Sequence, residues 1–146
     1  MLNPYKKKRQ TVLQKINLYL YFMHNPKAYP IADQNLSIQI LDLIEIAKDF
    51  KQIKKGANEA IKCMKKGVAE IIIIASDSDP LEIVLHLPLI CEDKNVPYIF
   101  ILGKDALGKA CGVNRPVLAC SITSGINFKL NSQIRNIKDN IEKNLN

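Results

Sequence analysis

The stretch from Lys54 to Lys66, KKGANEAIKCMKK, decides how the chain folds. Wound at about 100° per residue, it places Lys55, Asn58, Glu59, Lys62 and Lys66 within one arc roughly 100° wide. Ala57, Ala60, Ile61, Met64 and Val68 gather on the other side, where they can dock on a core. The polar arc joins cationic tips suited to phosphate with an amide and a carboxylate able to read base edges. Gly56 stands at the helix entrance, where the missing side chain allows close approach and free N–H groups favour an anion. Two readings stay open on these residues alone: an edge that reads RNA, or the solvated outer face that most charged arcs form.

The remaining chain alternates helix and strand. The spacing of Ile40, Leu41, Ile44 and Ala47 predicts a helix running to about Lys48, with Ser37 as its cap. A brief strand is expected near 52–54, and Gly67 closes the organising helix. Ala69 to Ala75, AEIIIIA, reads as a strand buried on both faces. Asp79 is expected as an N-cap with Pro80 at the first helical position, and Leu81, Val84 and Leu85 as the apolar side of that helix. Pro88 breaks it, and a second short helix reaches Lys94. Val96–Leu102 is the next buried strand, Lys104–Cys111 a helix closed by Gly112, and Val117–Ile122 a third long strand. Leu130, Ile134, Ile137, Ile141 and Leu145 mark a final helix. The alternation predicts an α/β fold, a three-layer α-β-α sandwich.

The bounds agree with a single domain. The chain has 146 residues, 47% apolar, with a formal charge of +7, which favours a polyanionic partner. Cys63, Cys91, Cys111 and Cys120 form no C-x-x-C pair, so a zinc site is not expected and reduced core thiols are. No apolar run approaches the roughly 20 residues needed to span a bilayer. Residues 1–24, with KKKR at Lys6–Arg9, look unlike the rest. They are expected to be a disordered extension, the basic run serving as a nuclear address, an RNA-clinging arm or neither. Residues 25–146 form the folded domain.

No P-loop, dinucleotide fingerprint or nucleophile elbow is present. Asp77, Asp79 and His86 are the nearest thing to catalytic groups, but Asp79 reads as a cap and His86, among leucines, as a packed histidine. The helices from Leu85 to Glu92 offer an alternative role as a protein adaptor. A second cluster lies where strand ends share a rim with the organising helix. There Ile83, Val113 and Leu118 form an apolar floor ringed by Asp79, Lys104 and Arg115, room for an unstacked base.

Three blocks in order, KKGANEAIK, DPLEIVLHLPLICEDKNVPYIFI and KDALGKACGVNRPVLACSI, together with NPKAYP at Asn25–Pro30, closely resemble the kink-turn RNA-binding family of archaeal ribosomal protein L7Ae. The resemblance covers the chain from about Asn25 onward. It implies a four-stranded mixed sheet between helices, no catalysis, no cofactor and no metal. It implies an RNA partner bent at tandem sheared G·A pairs. Gly56, Asn58, Glu59 and Lys62 would meet those pairs, while Lys54, Lys55 and Lys66 neutralise backbone. Asp79, Ile83, Lys104 and Leu118 would surround an extruded base, with Arg115 on its flank. The last block favours the branch serving the U4 small nuclear RNA 5′ stem-loop and box C/D small nucleolar RNAs, with their assembly proteins, in nucleus and nucleolus. The family's ribosomal and H/ACA nucleolar members are the alternative. The chain departs from the pattern at Asp79, where the branch usually has Glu, at Lys54 and Lys66, where it has Arg, and at Leu118, commonly Ile. Lysine keeps the charge but loses the planar fork.

Overall fold

Five helices and four strands make up a computed structural model that describes residues 32–77 and 84–145. Chain order is α1 (Gln34–Asp49), β1 (Ile53–Lys55), α2 (Ala57–Lys66), β2 (Ala69–Ala75), α3 (His86–Lys94), β3 (Tyr98–Ile101), α4 (Lys104–Ala110), β4 (Ala119–Thr123) and α5 (Phe128–Leu145). The strands lie in the order β1-β4-β2-β3. β4 runs antiparallel to both β1 and β2, and β3 runs parallel to β2, so the sheet is mixed as the resemblance implies.

The run of isoleucines in β2 explains the layers. Successive side chains point to opposite faces. Ile71, Ile73 and Ala75 enter a core with α1, α4 and α5, while Ile72 and Ile74 enter a second core with α2 and α3. This is the α-β-α sandwich. α5 docks through Leu130, Ile134, Ile137 and Ile141, all buried. Each contributes roughly 1.5–3 kcal/mol relative to exposure.

Several boundaries differ from expectation. α1 is capped by Asp33, whose Oδ1 accepts the Leu36 N–H at 2.7 Å, so the helix begins before Ser37. β1 is shifted to Ile53–Lys55 because Gln52 is buried and tied down: its side-chain amide donates to the Thr123 carbonyl at 2.9 Å. Pro88 does not break a helix. It lies in the first turn of α3, where its missing N–H has no partner to lose. His86 is exposed at the start of that helix rather than packed among leucines. β3 is shorter than the expected Val96–Leu102, and Leu102 projects at 72% exposure. Val68 is also exposed, since Gly67, at φ 74°, has already ended α2 and turned the chain off the helical face. Leu85, Leu87 and Cys91 are buried, so the Leu85–Glu92 stretch spends most of its apolar surface on the core. The expectations for residues 1–24, Asp79, Pro80, Leu81 and Ile83 lie outside the described residues.

The four cysteines are free and buried. Among the described residues no helix is long and apolar enough to cross a membrane, and no group of three or more His, Cys, Asp or Glu could hold a metal ion.

One polar atom in the sheet stands out. The Ser121 hydroxyl is buried in the centre of β4 with no hydrogen-bond partner among the described residues. A buried hydroxyl without a partner costs about 1–3 kcal/mol. Ser121→Ala is expected to leave the fold intact and raise stability by roughly 0.5–2 kcal/mol in a denaturant titration. A destabilised variant would reveal a bond to the hydroxyl that the geometry does not contain.

Candidate nucleic-acid interface

The sheet topology brings four chain segments to one rim. The C-terminal ends of β1, β2 and β3 and the start of β4 lie there together, because β4 opposes its neighbours. Main-chain bonds stitch them in sequence. Gly56 N–H donates to the Ala119 carbonyl at 2.7 Å, and Ala75 N–H to the Leu118 carbonyl at 2.8 Å. Ser76 N–H reaches the Ile101 carbonyl at 2.8 Å, and Val117 N–H the Lys104 carbonyl at 3.1 Å. Gly56, Leu118 and Lys104, far apart in sequence, therefore share one rigid edge.

Gly56 opens α2 at φ 98° and ψ 153°, backbone that a side-chain-bearing residue pays about 1–3 kcal/mol to adopt. Among the described residues nothing lies within 4 Å of where its Cβ would be, so that space is open to them. Among the described residues no side chain caps the helix. The first-turn amides and the positive end of the dipole thus face that opening. Four members of the arc drawn from the sequence are on α2 with exposed side chains, Asn58, Glu59, Lys62 and Lys66, while Ala60, Cys63 and Met64 are buried; the fifth, Lys55, belongs to β1 instead, because the strand runs up to Gly56. Lys62 Nζ stands 3.4 Å from Glu59 Oε1, both exposed. Such a pair is worth about 0–1 kcal/mol, so it orients the two tips without opposing their use by a ligand.

Lys54 is exposed and Lys55 half-buried, on opposite faces of the short β1. Lys55 lies on the side of Cys111. There the hydrogen bond shared with Cys120 lowers the Cys111 pKa, burial opposes this, and Lys55 and Lys48 reinforce the lowering. The same bond, with burial, raises Cys120. Lys104, half-buried, is the first residue of α4. Val113 and Leu118 are both half-buried but rest on different cores, Val113 on that of α1 and Leu118 on that of α2. Leu118 thus stands on the side of the organising helix, and Ile83, the third member of the expected apolar floor, lies outside the described residues. Arg115 is exposed and, with Val113, Lys109, Asp105, Asn114 and Pro116, lines a cleft of about 350 Å³ on the flank.

Three features of the rim were not visible as site residues in the sequence. Asp77 Oδ1 accepts the N–H groups of Lys104 at 2.9 Å and Gly103 at 3.3 Å, which fixes the start of α4 from 26 and 27 residues away. Leu102 projects from the same edge. Lys109 enters only through the flank cleft. The sole signal for Asp77 was its place in a loop after a strand, where a carboxylate cap is a common device.

These features define a class: a small α/β sandwich that displays a glycine-led helix start and a cationic arc on one open rim of its sheet. A family model described as "Ribosomal protein L7Ae/L30e/S12e/Gadd45 family" matches residues 38–130. The chain is 59% identical over 119 residues to "Small nuclear ribonucleoprotein associated homolog 13" of Caenorhabditis elegans, a match spanning 82% of this chain and 93% of that relative. It is 55% identical over 119 residues to "NHP2-like protein 1" of Rattus norvegicus, with the same coverage. Among solved structures, "Giardia lamblia 15.5kD RNA binding protein" superposes with a TM-score of 0.78 at 46% identity, covering 82% of this chain and 98% of that one. The chain belongs to the ribosomal protein L7Ae/L30e/S12e/Gadd45 family.

Proposed function

We propose that this protein binds a kink-turn, an RNA internal loop bent at tandem sheared G·A pairs, against the rim led by Gly56. The observation that carries the reading is the start of α2. A glycine in backbone forbidding to other residues, uncapped amides and the exposed tips of Asn58, Glu59 and Lys62 converge on open space. Relatives bearing ribonucleoprotein and RNA-binding names support it. In this reading the Glu59 carboxylate accepts from guanine amino and imino groups, Asn58 bonds a guanine edge, and Lys62 serves a carbonyl or phosphate. Lys54, Lys55 and Lys66 neutralise backbone. Lys104 and Leu118, with Asp79 and Ile83, surround an extruded base, and Val113 and Arg115 flank it.

The protein works without catalysis, by binding the bent conformation better than the extended one. Its RNAs are the U4 small nuclear RNA 5′ stem-loop and box C/D small nucleolar RNAs, its setting the nucleus and nucleolus, and its outcome the recruitment of spliceosomal and nucleolar assembly proteins. Asp77, the residue most open to an enzymatic reading, has its carboxylate engaged by two backbone amides.

The deciding experiment compares a kink-turn hairpin with the same hairpin whose G·A pairs are replaced by Watson–Crick pairs. Binding to the first should be at least tenfold tighter, the discrimination of about 1–3 kcal/mol per base-specific contact. Equal affinity would defeat the proposal. Lys66, at the far end of α2 and exposed, tests the electrostatic part. Lys66→Ala should reduce the slope of log K against log salt by about one unit and weaken wild-type and Watson–Crick hairpins alike.

A further inference from the structure

The rim opposite Gly56 carries a second surface. Glu70 sits at the start of β2, five residues before Ala75, which places it about 16 Å away along the strand. Beside it, Ser124, Asn131, Arg135 and Lys138 complete a cleft of about 260 Å³ between the sheet edge and α5. Lys138 and Glu70 form an ion pair across it. Their charges cancel. Arg135 is exposed and, among the described residues, has no carboxylate partner, so the cleft retains one uncompensated guanidinium. A guanidinium fork is suited to a carboxylate held through two parallel bonds.

Three apolar side chains stand next to this cleft. Ile126 is 95% exposed, Phe128 87% and Val68 37%. They are near one another because Ser124 N–H donates to the Val68 carbonyl at 2.9 Å, and Ile126 and Phe128 follow within four residues. Phe128, Asn131, Arg135 and Lys138 then fall within one arc of α5 roughly 80° wide. The loop that displays them is held by several bonds. Asn127 Oδ1 accepts the Leu130 N–H at 2.9 Å, and the Asn131 side-chain amide donates to the Gly125 carbonyl at 3.1 Å. Large apolar groups standing in water beside a polar cleft mark a contact site.

We propose that this rim docks a protein partner through a short acidic segment, a carboxylate meeting Arg135 and a bulky apolar side chain covering Ile126, Phe128 and Val68. Charge decides the partner's class. Nucleic acid calls for a row of cations, whereas among the described residues that line this cleft one cation is left unpaired and a carboxylate is present. A carboxylate flanked by leucine or phenylalanine satisfies both halves of the surface. The cleft lies at the opposite end of β2 from the Gly56 rim, and Lys66, two residues before Val68, is the one proposed RNA contact that borders it.

The probe is a fluorescein-labelled peptide, EELFEELFEE, titrated with the full chain and followed by anisotropy. Two counterparts replace its glutamates by lysine or its leucines and phenylalanines by serine. The acidic apolar peptide should bind about tenfold more tightly than either. Arg135→Glu, and separately Ile126→Ser with Phe128→Ser, should each weaken it about tenfold while kink-turn affinity stays within about twofold, since these side chains lie on the solvent face. Equal binding of the three peptides, or binding indifferent to both variants, overturns the proposal. So does a loss of kink-turn affinity in these variants, uridine-oligomer binding that Arg135→Glu abolishes, or concentration-dependent dimerisation that the serine variant removes. Because kink-turn binding is measured in the same samples, failure here is distinguishable from failure of the RNA reading.

Discussion

Glu59→Ala is expected to lower affinity for a kink-turn hairpin by roughly 1–3 kcal/mol, about 5- to 150-fold, while leaving the salt slope nearly unchanged. The carboxylate sits in the first turn of α2, where it also favours the helix dipole by about 0.3–1 kcal/mol. Its pair with Lys62 is exposed and worth no more. The stability loss is therefore small, and the binding loss exceeds it because a guanine edge would be left without an acceptor. The check is an RNA titration at several salt concentrations beside a thermal melt. Glu59→Gln, which keeps an acceptor but loses the charge, should recover part of the affinity. A salt slope that falls by about one unit with Glu59→Ala would contradict a base-reading role.

Gly108→Ala should be the most damaging small substitution to the fold. Gly108 is buried within α4, and a Cβ there would lie 2.1 Å from the Arg115 carbonyl oxygen. The opposing main chain cannot step aside freely. Val113 N–H is bonded to the Gly108 carbonyl at 3.0 Å and Val117 N–H to the Lys104 carbonyl at 3.1 Å, so shifting the loop strains both bonds. The helix-propensity gain of alanine over glycine is at most about 1 kcal/mol. Overpacking of about 1–3 kcal/mol, plus weakened hydrogen bonds of about 1 kcal/mol each, outweighs it. The net loss of roughly 2–4 kcal/mol corresponds to a fall in Tm of about 10 °C for a domain of this size. The same shift would move Val113 and Arg115, so RNA affinity of the folded protein should also drop. A Tm within about 2 °C of the parent would show that the loop yields without cost.

What the sequence made legible follows from how locally each feature is encoded. β2 was readable to the residue because a strand buried on both faces writes itself as unbroken β-branched residues. α2 and α5 were readable because their buried positions recur at helical spacing. The failures depend on geometry that residue type alone does not carry, some of it local and some set by partners distant in the chain. Asp33 and Ser37 are both good caps, and only the geometry of the first turn selects Asp33. Proline at Pro88 has the same composition whether it ends a helix or begins one. Nothing near Asp77 announces Gly103 and Lys104. The exposure of Leu102 reflects where β3 stops. The contacts proposed to RNA came from family resemblance, since a charged arc alone also fits a solvated face.

The stitching of Gly56, Ala75, Ser76 and Val117 to neighbouring strands has a consequence for kinetics on the reading proposed above. A platform fixed by main chain is already in its bound shape, so the entropy lost on association falls mainly on the nucleic acid. The protein then acts as a mould, and capture is paced by how often the RNA visits its folded elbow. Cations that favour that elbow, such as magnesium, would quicken association more than they slow release.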